Sequence, residues 1–502
     1  MARKQARFLG KLDAAADDNF KDHFVESLDL RRLLTNDSDI IYGSKGVGKT
    51  ALRRALTELK EDHFFATKTV NLDDISFAQA HTALEKLRDT TSTEVPTLAR
   101  NIWRNLLAMY CLEAVAEHVT DDDLRNAIMA TLASEGFASV ESNKRFIGQI
   151  ERLLVRIAEA GLDDQPAPLG LNTKQLTLVN TFPSNPDVEA LLRKCTELPG
   201  VVLICVDGFD SIVDHTRESR KAIFAGLIDA IQKSSNDLRF KRRFCFKAFL
   251  PQELTDDAHA SLWDSDKYLF NTHYVRWGES DFQSLIRRRL IPYSRTKSGQ
   301  FADIWNEHMP EKVRNDAHKL EEQTFSYILR HTLYRPRQIL THLQRILDKW
   351  DEVSEAVRVD PTFIPQVVAA TNYDLARSVV GQLEIKYPLL GVFMQSFNGL
   401  DSTIMVSDFL ERLRRLFSLT TPADTSKLFD DLFNCGVFGV APRESVNKGR
   451  QKSDFKFAFV GDRLLRSVHA TVEHDDFAAL SPMFHEYCGC AASAYGAVIP
   501  IA

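Results

Sequence analysis

The run GSKGVGKT, at residues 43 to 50, constrains the fold of this chain more than any other feature of its sequence. It fits the pattern GxxxxGK[ST] without a mismatch, follows the apolar run DIIY (39–42), and precedes a stretch whose apolar residues recur at helical spacing. A strand, a glycine loop and a helix in this order are the context in which the pattern forms a phosphate-binding loop. The residues of the run are Gly43, Ser44, Lys45, Gly46, Val47, Gly48, Lys49 and Thr50.

Glycines in such a loop let backbone N–H groups turn inward around a phosphate, and the start of the following helix adds a partial positive charge. We therefore predict that the loop binds ATP together with Mg²⁺. Lys49 is expected at the β- and γ-phosphate oxygens, and Thr50 is expected to offer its hydroxyl to the magnesium ion.

A phosphate loop of this kind needs a second acid at the end of a buried strand, and the run VVLICVDGFD (201–210) supplies Asp207 as that magnesium-side, or Walker B, residue. Many P-loop ATPases place a Glu directly after this Asp to activate water, whereas this chain has Gly208. The next acid is Asp210, for which two roles stay open: polarising the attacking water, or capping the following helix. Slow hydrolysis is the expectation.

Runs rich in apolar and β-branched residues at 67–72, 200–210, 243–250 and 271–277 alternate with helical patterns. Strands separated by helices predict a mostly parallel, three-layer α/β core. Between about 76 and 198 only helical periodicity is found, which predicts a helical insertion in that core.

The chain of 502 residues is too long for one ordinary core, so several domains are expected. The predicted division is an N-terminal strap (1–32), a P-loop ATPase core (33–277), a helical lid (278–352), a linker (353–377) and a winged-helix-like domain (378–502). The last assignment rests on helices that close on a β-ribbon at FKFAFV (455–460).

Composition excludes some classes of protein. Apolar residues make up 44 % of the chain, yet no window approaches the roughly 18 uninterrupted apolar residues of a membrane span, and the first residues lack the apolar segment of a secretory signal. An odd number of cysteines, seven, placed mostly singly in apolar stretches, is typical of a reducing cytoplasm. His485, Cys488 and Cys490 lack a second ligand pair, which favours an ordinary C-terminal segment over a zinc site.

The chain resembles AAA+ ATPases of the origin-recognition and replication-initiator class in the order of GSKGVGKT, VVLICVDGFD, SDKYLFNTHYVRWGESDFQSLIRRRL and YRPRQIL. Its opening, FLGKLDAAADDNFKDHFVESLDLRRLL, resembles bacterial stand-alone relatives of that class, many of which occur among phage-defence genes. The resemblance extends over nearly the whole chain, and it implies a nucleotide switch with an antiviral role.

The resemblance also implies roles for individual residues. Arg337 corresponds to the sensor-2 arginine that reaches the γ-phosphate, with Arg335 as the alternative and a solvated helix surface as the other interpretation. Lys267 stands where initiators carry the arginine finger of a neighbouring subunit, and a lysine lacks the planar fork that makes that role effective. The polar residue at the end of its strand, called sensor 1, would be Gln252.

A net charge of −6 gives no whole-protein attraction to nucleic acid, so DNA binding would need a local patch. Lys448, Arg450 and Lys452 form such a patch in a loop, as a phosphate-contacting wing would. The neighbouring helix, DTSKLFDDLF (424–433), is rich in acids, which disfavours a groove-binding role. Duplex binding and protein docking therefore both stay open for this domain.

The leading hypothesis is an ATP-dependent AAA+ switch whose nucleotide, held between core and lid, changes how the lid and the winged helix sit. Its partners are expected to be DNA, another protein or further copies of the chain. The alternative is an adaptor or DNA-binding scaffold that retains nucleotide and turns over little. Gly208 and Lys267 favour that alternative.

Overall fold

A computed structural model of the protein describes residues 7–34, 39–72, 77–91, 93–137, 144–162, 185–208, 217–237, 243–252, 271–296, 299–460, 468–491 and 493–501. The chain divides into two compact units. One, here called the core unit, consists of Glu26–Lys45 and Lys49–Val275. The other, here called the C-terminal unit, consists of Met1–Val25, Gly46–Gly48 and Arg276–Ala502.

The core unit contains a five-stranded sheet in which every neighbouring pair is parallel. The strand order is β2-β3-β4-β1-β5, so one strand, β4, separates the strand before the glycine loop from the strand that ends in Asp207. The parallel α/β class predicted from the sequence is confirmed. The strands are β1 (Ile40–Gly43), β2 (Ala66–Asn71), β3 (Val202–Asp207), β4 (Phe244–Pro251) and β5 (Thr272–Tyr274).

The central strands are buried along their length, because helices cover both faces of a parallel sheet. All eight residues of β4 are buried, as are the first five of β3, which explains why their sequences are nearly continuous apolar runs. The helices of this unit are α1 (Leu28–Leu34), α2 (Lys49–Arg54), α3 (Phe77–Thr91), α4 (Val95–His118), α5 (Asp122–Ser134), α6 (Arg145–Leu162), α7 (Pro186–Cys195) and α8 (Arg217–Ser235).

Residues 76 to 198, predicted as a helical insertion, contain α3 to α7 and no strand among the residues described there. Helix α4 packs closely along α8. The indole nitrogen of Trp103 donates a hydrogen bond to the carbonyl of Ile223 at 3.0 Å. Gly226 permits the approach, because a Cβ there would lie 2.7 Å from the Cβ of Ala99. The insertion is thereby packed into the core of this unit.

In the C-terminal unit, the region after Trp277 begins with α9 (Glu279–Leu290), α10 (Phe301–His308), the antiparallel strands β6 (Lys312–Asn315) and β7 (Leu320–Gln323), α11 (Thr324–Arg330) and α12 (Pro336–Val353). The sequence HKLEEQ (318–323), inside the region predicted as a helical lid (278–352), contains strand β7 where helix was expected. Burial alternates along β7, with Leu320 and Glu322 inside, which is the period of a strand. Glu322 pairs with the buried Arg330, so its charge does not mark a solvent-facing side.

The N-terminal segment packs onto this helical region. Arg289 forms an ion pair with Asp17, with 3.1 Å between Nη2 and Oδ2, and Arg7 pairs with Asp351. Gly10 has φ +84°, and a Cβ there would lie 2.3 Å from Nη1 of Arg289. Arg289 on α9 therefore holds the N-terminal segment in place.

Helix α13 (Phe363–Glu384) begins inside the stretch predicted as a linker, 353–377. The non-helical residues between α12 and α13 are only 354–362. Pro361 precedes the new helix and so does not interrupt it. The remaining helices are α14 (Leu390–Gln395), α15 (Val406–Leu416), α16 (Pro422–Asn434) and α17 (His485–Cys488), and a short helix, Phe20–His23, lies in the N-terminal segment.

A mixed five-stranded sheet accompanies these helices, in the order β12-β10-β9-β11-β8. It is larger than the β-ribbon predicted at 455–460, of which only Phe455 and Lys456 lie in a strand. Phe457 and the residues after it turn away, and Phe457 and Phe459 pack against each other with ring centroids 5.0 Å apart. The strands are β8 (Thr403–Met405), β9 (Phe438–Ala441), β10 (Lys452–Lys456), β11 (Phe477–Leu480) and β12 (Ala497–Ile501).

Candidate nucleotide-binding site

The glycine loop connects β1 to α2 and has the backbone shape that an anion cradle requires. Gly46 has φ +83° and Gly48 has φ +106°, a region that side-chain-bearing residues avoid. Successive N–H groups in such a turn point to one side and form an anion-binding concavity. The two glycines of the motif are therefore needed for the conformation that the loop adopts.

Lys49 is the first residue of α2, and its side chain is only 4 % exposed. Its Nζ donates a hydrogen bond to the carbonyl of Gly43 at 2.8 Å, and a longer one of 3.4 Å to that of Ser44. The ammonium group thus lies against the loop's own backbone, while Lys45 in the same loop is exposed. Thr50 follows on the helix and is half-buried.

Two side chains pack against Gly46–Gly48, the part of the loop that belongs, as they do, to the C-terminal unit. Trp277 donates a hydrogen bond from Nε1 to the carbonyl of Val47 at 2.7 Å, and its ring lies 3.7 Å from where a Cβ on Gly48 would be. Arg337 packs beside Gly46, its Cβ 3.5 Å from the equivalent point. Trp277 was not singled out in the sequence, where it is one of five tryptophans with no distinguishing spacing.

Of the two arginines considered for sensor 2, Arg337 is the accessible one. Its side chain is 43 % exposed, and its Nη2 lies 3.7 Å from Oδ1 of Asp13. Arg335 is buried, at 8 % exposure, and precedes the first turn of α12. Arg337 therefore lies beside Gly46 with its guanidinium partly exposed. The Arg335 side chain lies inside the fold.

Asp207 is the last residue of β3, and its carboxylate has defined partners. Arg53 on α2 places Nε 3.0 Å from Oδ2, and the backbone N–H of Gly208 donates to Oδ1 at 2.9 Å. Gly208 has φ +95°, so the backbone turns directly after the acid and a side chain at this position would be strained. Arg53 was missed in the sequence, although it stands one turn after Thr50 on the same helix.

Of the other positions predicted to take part in catalysis, the structure describes Gln252 but not Asp210 or Lys267. Gln252 directly follows β4, the strand between β1 and β3, and is half-buried. Gly43 at the end of β1 pairs in register with Pro251, so Gln252 stands close to the level of the glycine loop. Asp210 and Lys267 lie outside the described residues.

The basic loop predicted to contact DNA is exposed. Arg450 donates from Nη1 to the carbonyl of Ser445 at 2.7 Å, whereas Lys448 and Lys452 are exposed, the latter on β10. Nearby Arg443 is paired with Asp475 at 3.0 Å. The loop therefore presents lysine and arginine side chains at the surface.

The acids of α16 are largely engaged within the fold. Asp431 is buried, accepts a hydrogen bond from the hydroxyl of Tyr387 at 2.6 Å, and lies 3.3 Å from Nζ of Lys386. Asp430 accepts from the backbone N–H of His469 at 2.7 Å. Their sequence suggested a repulsive surface, yet the carboxylate of Asp431 is neutralised inside the domain.

The segment His485 to Cys490 belongs to the packing of the C-terminal unit. His485 places Nε2 3.0 Å from the carbonyl oxygen of Leu480, and Cys488 is buried. Within the described part of the chain, no group of three or more His, Cys, Asp or Glu residues is arranged to hold a metal ion. Across the same residues, no helix is long and apolar enough to cross a membrane.

Comparison with known proteins gave structural similarities only. No protein-family model and no curated protein matches the chain. The Walker-type ATPase of Pyrococcus abyssi is similar, with 10 % identity, a TM-score of 0.38, and 97 % of this chain and 99 % of that chain covered. The ORC2 protein of Aeropyrum pernix, in ADPNP–ADP complexes, has 9 % identity and a TM-score of 0.37, with 91 % and 89 % covered. The ORC1 protein of the same organism, in complex with DNA, has 14 % identity and a TM-score of 0.35, with 95 % and 96 % covered.

Proposed function

We propose that this protein is a P-loop ATPase that binds ATP and Mg²⁺ at residues 43 to 50. The observation that carries the proposal is the conformation of the glycine loop, with Gly46 and Gly48 at positive φ and Lys49 folded against it. Together these features provide backbone N–H groups and one ammonium group at the start of a helix, which is the chemistry that recognises polyphosphate.

The residues also fit magnesium. A hydroxyl from Thr50 and a carboxylate from Asp207 are oxygen donors, the type that this hard cation prefers, and nucleotide phosphates and water would complete its shell. When bound, Mg²⁺ neutralises charge on the β- and γ-phosphates. Lys49 would exchange its bonds to the Gly43 and Ser44 carbonyls for phosphate oxygens, a change that needs only side-chain rotation.

Hydrolysis is proposed to be slow. The backbone turn at Gly208 excludes a water-activating Glu at that position, so Asp210 is the proposed activating acid, with helix capping as its other role. Gln252, at the end of the neighbouring strand, is proposed to contact the attacking water or the γ-phosphate. Slow turnover suits a switch protein, because its conformation then persists for as long as the nucleotide stays bound.

We propose further that the chain belongs functionally with the initiator-type AAA+ switches that its sequence resembles. In this view Arg337 contacts the γ-phosphate, a proposal supported by its position beside Gly46. The proposed moving parts are the lid (278–352) and the winged-helix-like domain (378–502). Lys267 would face a neighbouring copy of the chain, and the antiviral role rests on the sequence resemblance alone.

The alternative is an adaptor or DNA-binding scaffold that holds nucleotide for stability. The same turn at Gly208 favours it, because without an effective water-activating acid the bound nucleotide would persist. The two functions differ in turnover, so a steady-state ATPase assay with and without duplex DNA separates them.

The site itself is tested by comparing Lys49→Ala with Lys45→Ala. Both variants remove one lysine charge from the same loop, but only Lys49 is buried against the loop backbone. We expect Lys49→Ala to lose ATP binding by at least about 100-fold and Lys45→Ala to retain it within about threefold, since only the first charge faces phosphate. ATP affinity in Lys49→Ala equal to that of the parent, measured by calorimetry, would refute the site.

A further inference from the structure

Arg53 contacts Asp207, the acid proposed for the magnesium side. It lies on α2 three residues after Thr50, and residues at this spacing share one face of a helix. Its Nε is 3.0 Å from Oδ2 of Asp207, and its Nη1 donates to Oγ1 of Thr69 on β2 at 3.2 Å. The Arg53 and Asp207 side chains are 16 % and 14 % exposed, so the pair is largely shielded from solvent.

Both carboxylate oxygens of Asp207 are engaged. Oδ2 faces the guanidinium of Arg53, and Oδ1 accepts the N–H of Gly208. A guanidinium does not lose its proton in a protein, so its positive charge is permanent. A second cation brought to the same carboxylate meets a repulsion that solvent and salt screen only weakly at this depth.

The site contains an alternative partner for Arg53. Thr69 pairs in register with Cys205, two residues before Asp207, and its hydroxyl already accepts from the other end of the guanidinium. Arg53 can therefore release Oδ2 of Asp207 and keep a hydrogen bond to Thr69. Loss of the ion pair does not leave the guanidinium without an acceptor.

We propose that Arg53 is a positioning residue that holds Asp207 in the metal-free state and sets the Mg²⁺ concentration at which the site becomes occupied. The inference rests on the proposed function, because it takes Asp207 as the magnesium-side acid. Arg53 neutralises the carboxylate when no metal is present, and it competes with the metal for that carboxylate when nucleotide arrives. The site thereby requires more Mg²⁺ than its two oxygen donors alone would.

A purely structural pair would behave differently. If Arg53 only stabilised the fold, its removal would lower thermal stability without moving the magnesium requirement. If Arg53 instead prepared Asp207 for the metal, its removal would raise that requirement. Only competition between Arg53 and Mg²⁺ for Asp207 predicts that the magnesium requirement falls when Arg53 is removed.

The experiment measures the binding of a fluorescent ATP analogue to the full chain while MgCl₂ is titrated, with a parallel measurement in EDTA. Arg53→Met removes the charge and keeps the unbranched stem, whereas Arg53→Lys keeps the charge. We expect the magnesium midpoint to fall about tenfold in Arg53→Met, the size of a screened charge contact, and to stay within about twofold in Arg53→Lys. In EDTA, the affinity for the ATP analogue should be nearly the same in the parent, Arg53→Met and Arg53→Lys. Arg53→Gln, which keeps a hydrogen-bond donor, serves as a second neutral variant, and thermal unfolding monitors the fold of each.

A magnesium midpoint in both neutral variants that equals or exceeds that of the parent would overturn the role of Arg53. Measurements on the parent and on Asp207→Asn then show whether only the role of Arg53 or the proposed nucleotide site itself is wrong. If the parent binds Mg²⁺-nucleotide and Asp207→Asn loses the magnesium effect, the proposed site stands and only the inference about Arg53 falls. If the parent shows no nucleotide binding with or without Mg²⁺, both fall.

Discussion

The indole nitrogen of Trp277 donates a hydrogen bond to the carbonyl oxygen of Val47 across 2.7 Å. In a planar trans peptide the carbonyl and the next N–H point in opposite directions, so this bond directs the N–H of Gly48 away from the indole. A carbonyl in a phosphate-binding loop would otherwise be free to face the anion and repel it. Trp277 thus fixes one peptide plane of the loop in the orientation that the proposed anion binding needs.

Trp277→Phe is expected to weaken ATP binding by about three- to tenfold, the equivalent of one net hydrogen bond, because an aromatic ring is kept and the N–H donor is lost. Calorimetric titration with ATP measures the change. Trp350→Phe is the matched control, since its indole also donates to a backbone carbonyl, that of Ala356 at 2.9 Å, remote from the loop in sequence. An equal loss in both variants, or none in Trp277→Phe, would contradict the role given to Trp277.

Glu322→Ala should destabilise the C-terminal unit by about 3 kcal/mol, because removal of one partner leaves a buried charge without compensation. Arg330 contacts both carboxylate oxygens of Glu322, at 3.0 and 2.8 Å, and Asn315 donates to one of them at 3.1 Å. Urea denaturation followed by circular dichroism measures the loss. The neighbouring Glu321→Ala removes an exposed carboxylate of the same strand and should cost less than about 0.5 kcal/mol. Similar costs for the two variants would mean that the pair does not secure the hairpin.

Stability of the C-terminal unit should fall as the solution is acidified from about pH 6.5 towards pH 4. His342 is fully buried, and burial lowers its pKa from 6.5 to about 4. The folded state therefore keeps this imidazole neutral, while the unfolded state takes up a proton below pH 6.5, so the stabilising contribution is present above that pH and is lost as the pH falls. Burial also lowers the pKa of the His331 imidazole well below its usual range, and that of His485 to about 4.

The contribution of His342 is isolated by His342→Leu, which cannot titrate. The acid-side dependence of the unfolding free energy should flatten by up to about 1.4 kcal/mol per pH unit. His474→Leu replaces an exposed histidine of the same unit and serves as the control. Asp39 in the core unit, whose pKa burial raises to about 6, changes stability in the opposite direction, but it is present in every protein compared. An unchanged slope in His342→Leu would show that its ring is protonated in the fold.

If the basic loop binds duplex DNA, the triple substitution of Lys448, Arg450 and Lys452 by alanine should reduce the log–log salt slope of binding by about 0.9 for each phosphate contact removed. Affinity at moderate salt should fall steeply, and ATPase activity without DNA should persist. Fluorescence anisotropy over a series of salt concentrations measures the slope.

The control removes three exposed cations of the same unit from outside the loop, namely Lys312, Arg314 and Lys349. It changes the net charge equally, so it separates local contacts from the general field of the protein. Equal DNA affinity and equal slope in the loop variant and the parent would exclude the loop as the contact. Loss of a protein partner in the same variant would then identify a docking surface.

The sequence was informative where structure is determined locally. Buried parallel strands are continuous apolar runs, so β3 and β4 were recognisable, and the glycine loop carries its conformation in Gly46 and Gly48. Strand β7 was taken for a helix, because Glu322 looks solvent-facing until its buried partner Arg330 is known. Contacts between residues far apart in the chain could not be predicted, because no local sequence pattern indicates them. Arg53 and Asp207 are 154 residues apart, and Val47 and Trp277 are 230 apart, so neither pair follows from spacing.

The long-range contacts of the N-terminal segment affect the order in which the two units can fold during synthesis. Arg7 and Leu9 bond to Asp351 and Gln344, more than 330 residues later in the chain. Ribosomes add about 5 to 20 residues per second, so this segment waits tens of seconds for the helix that receives it. During that interval the core unit, whose strands end at Tyr274, can form first. A chaperone that shields Leu9 during this interval should therefore raise the yield of the C-terminal unit more than that of the core unit, whereas slower synthesis, which lengthens the interval, should lower it.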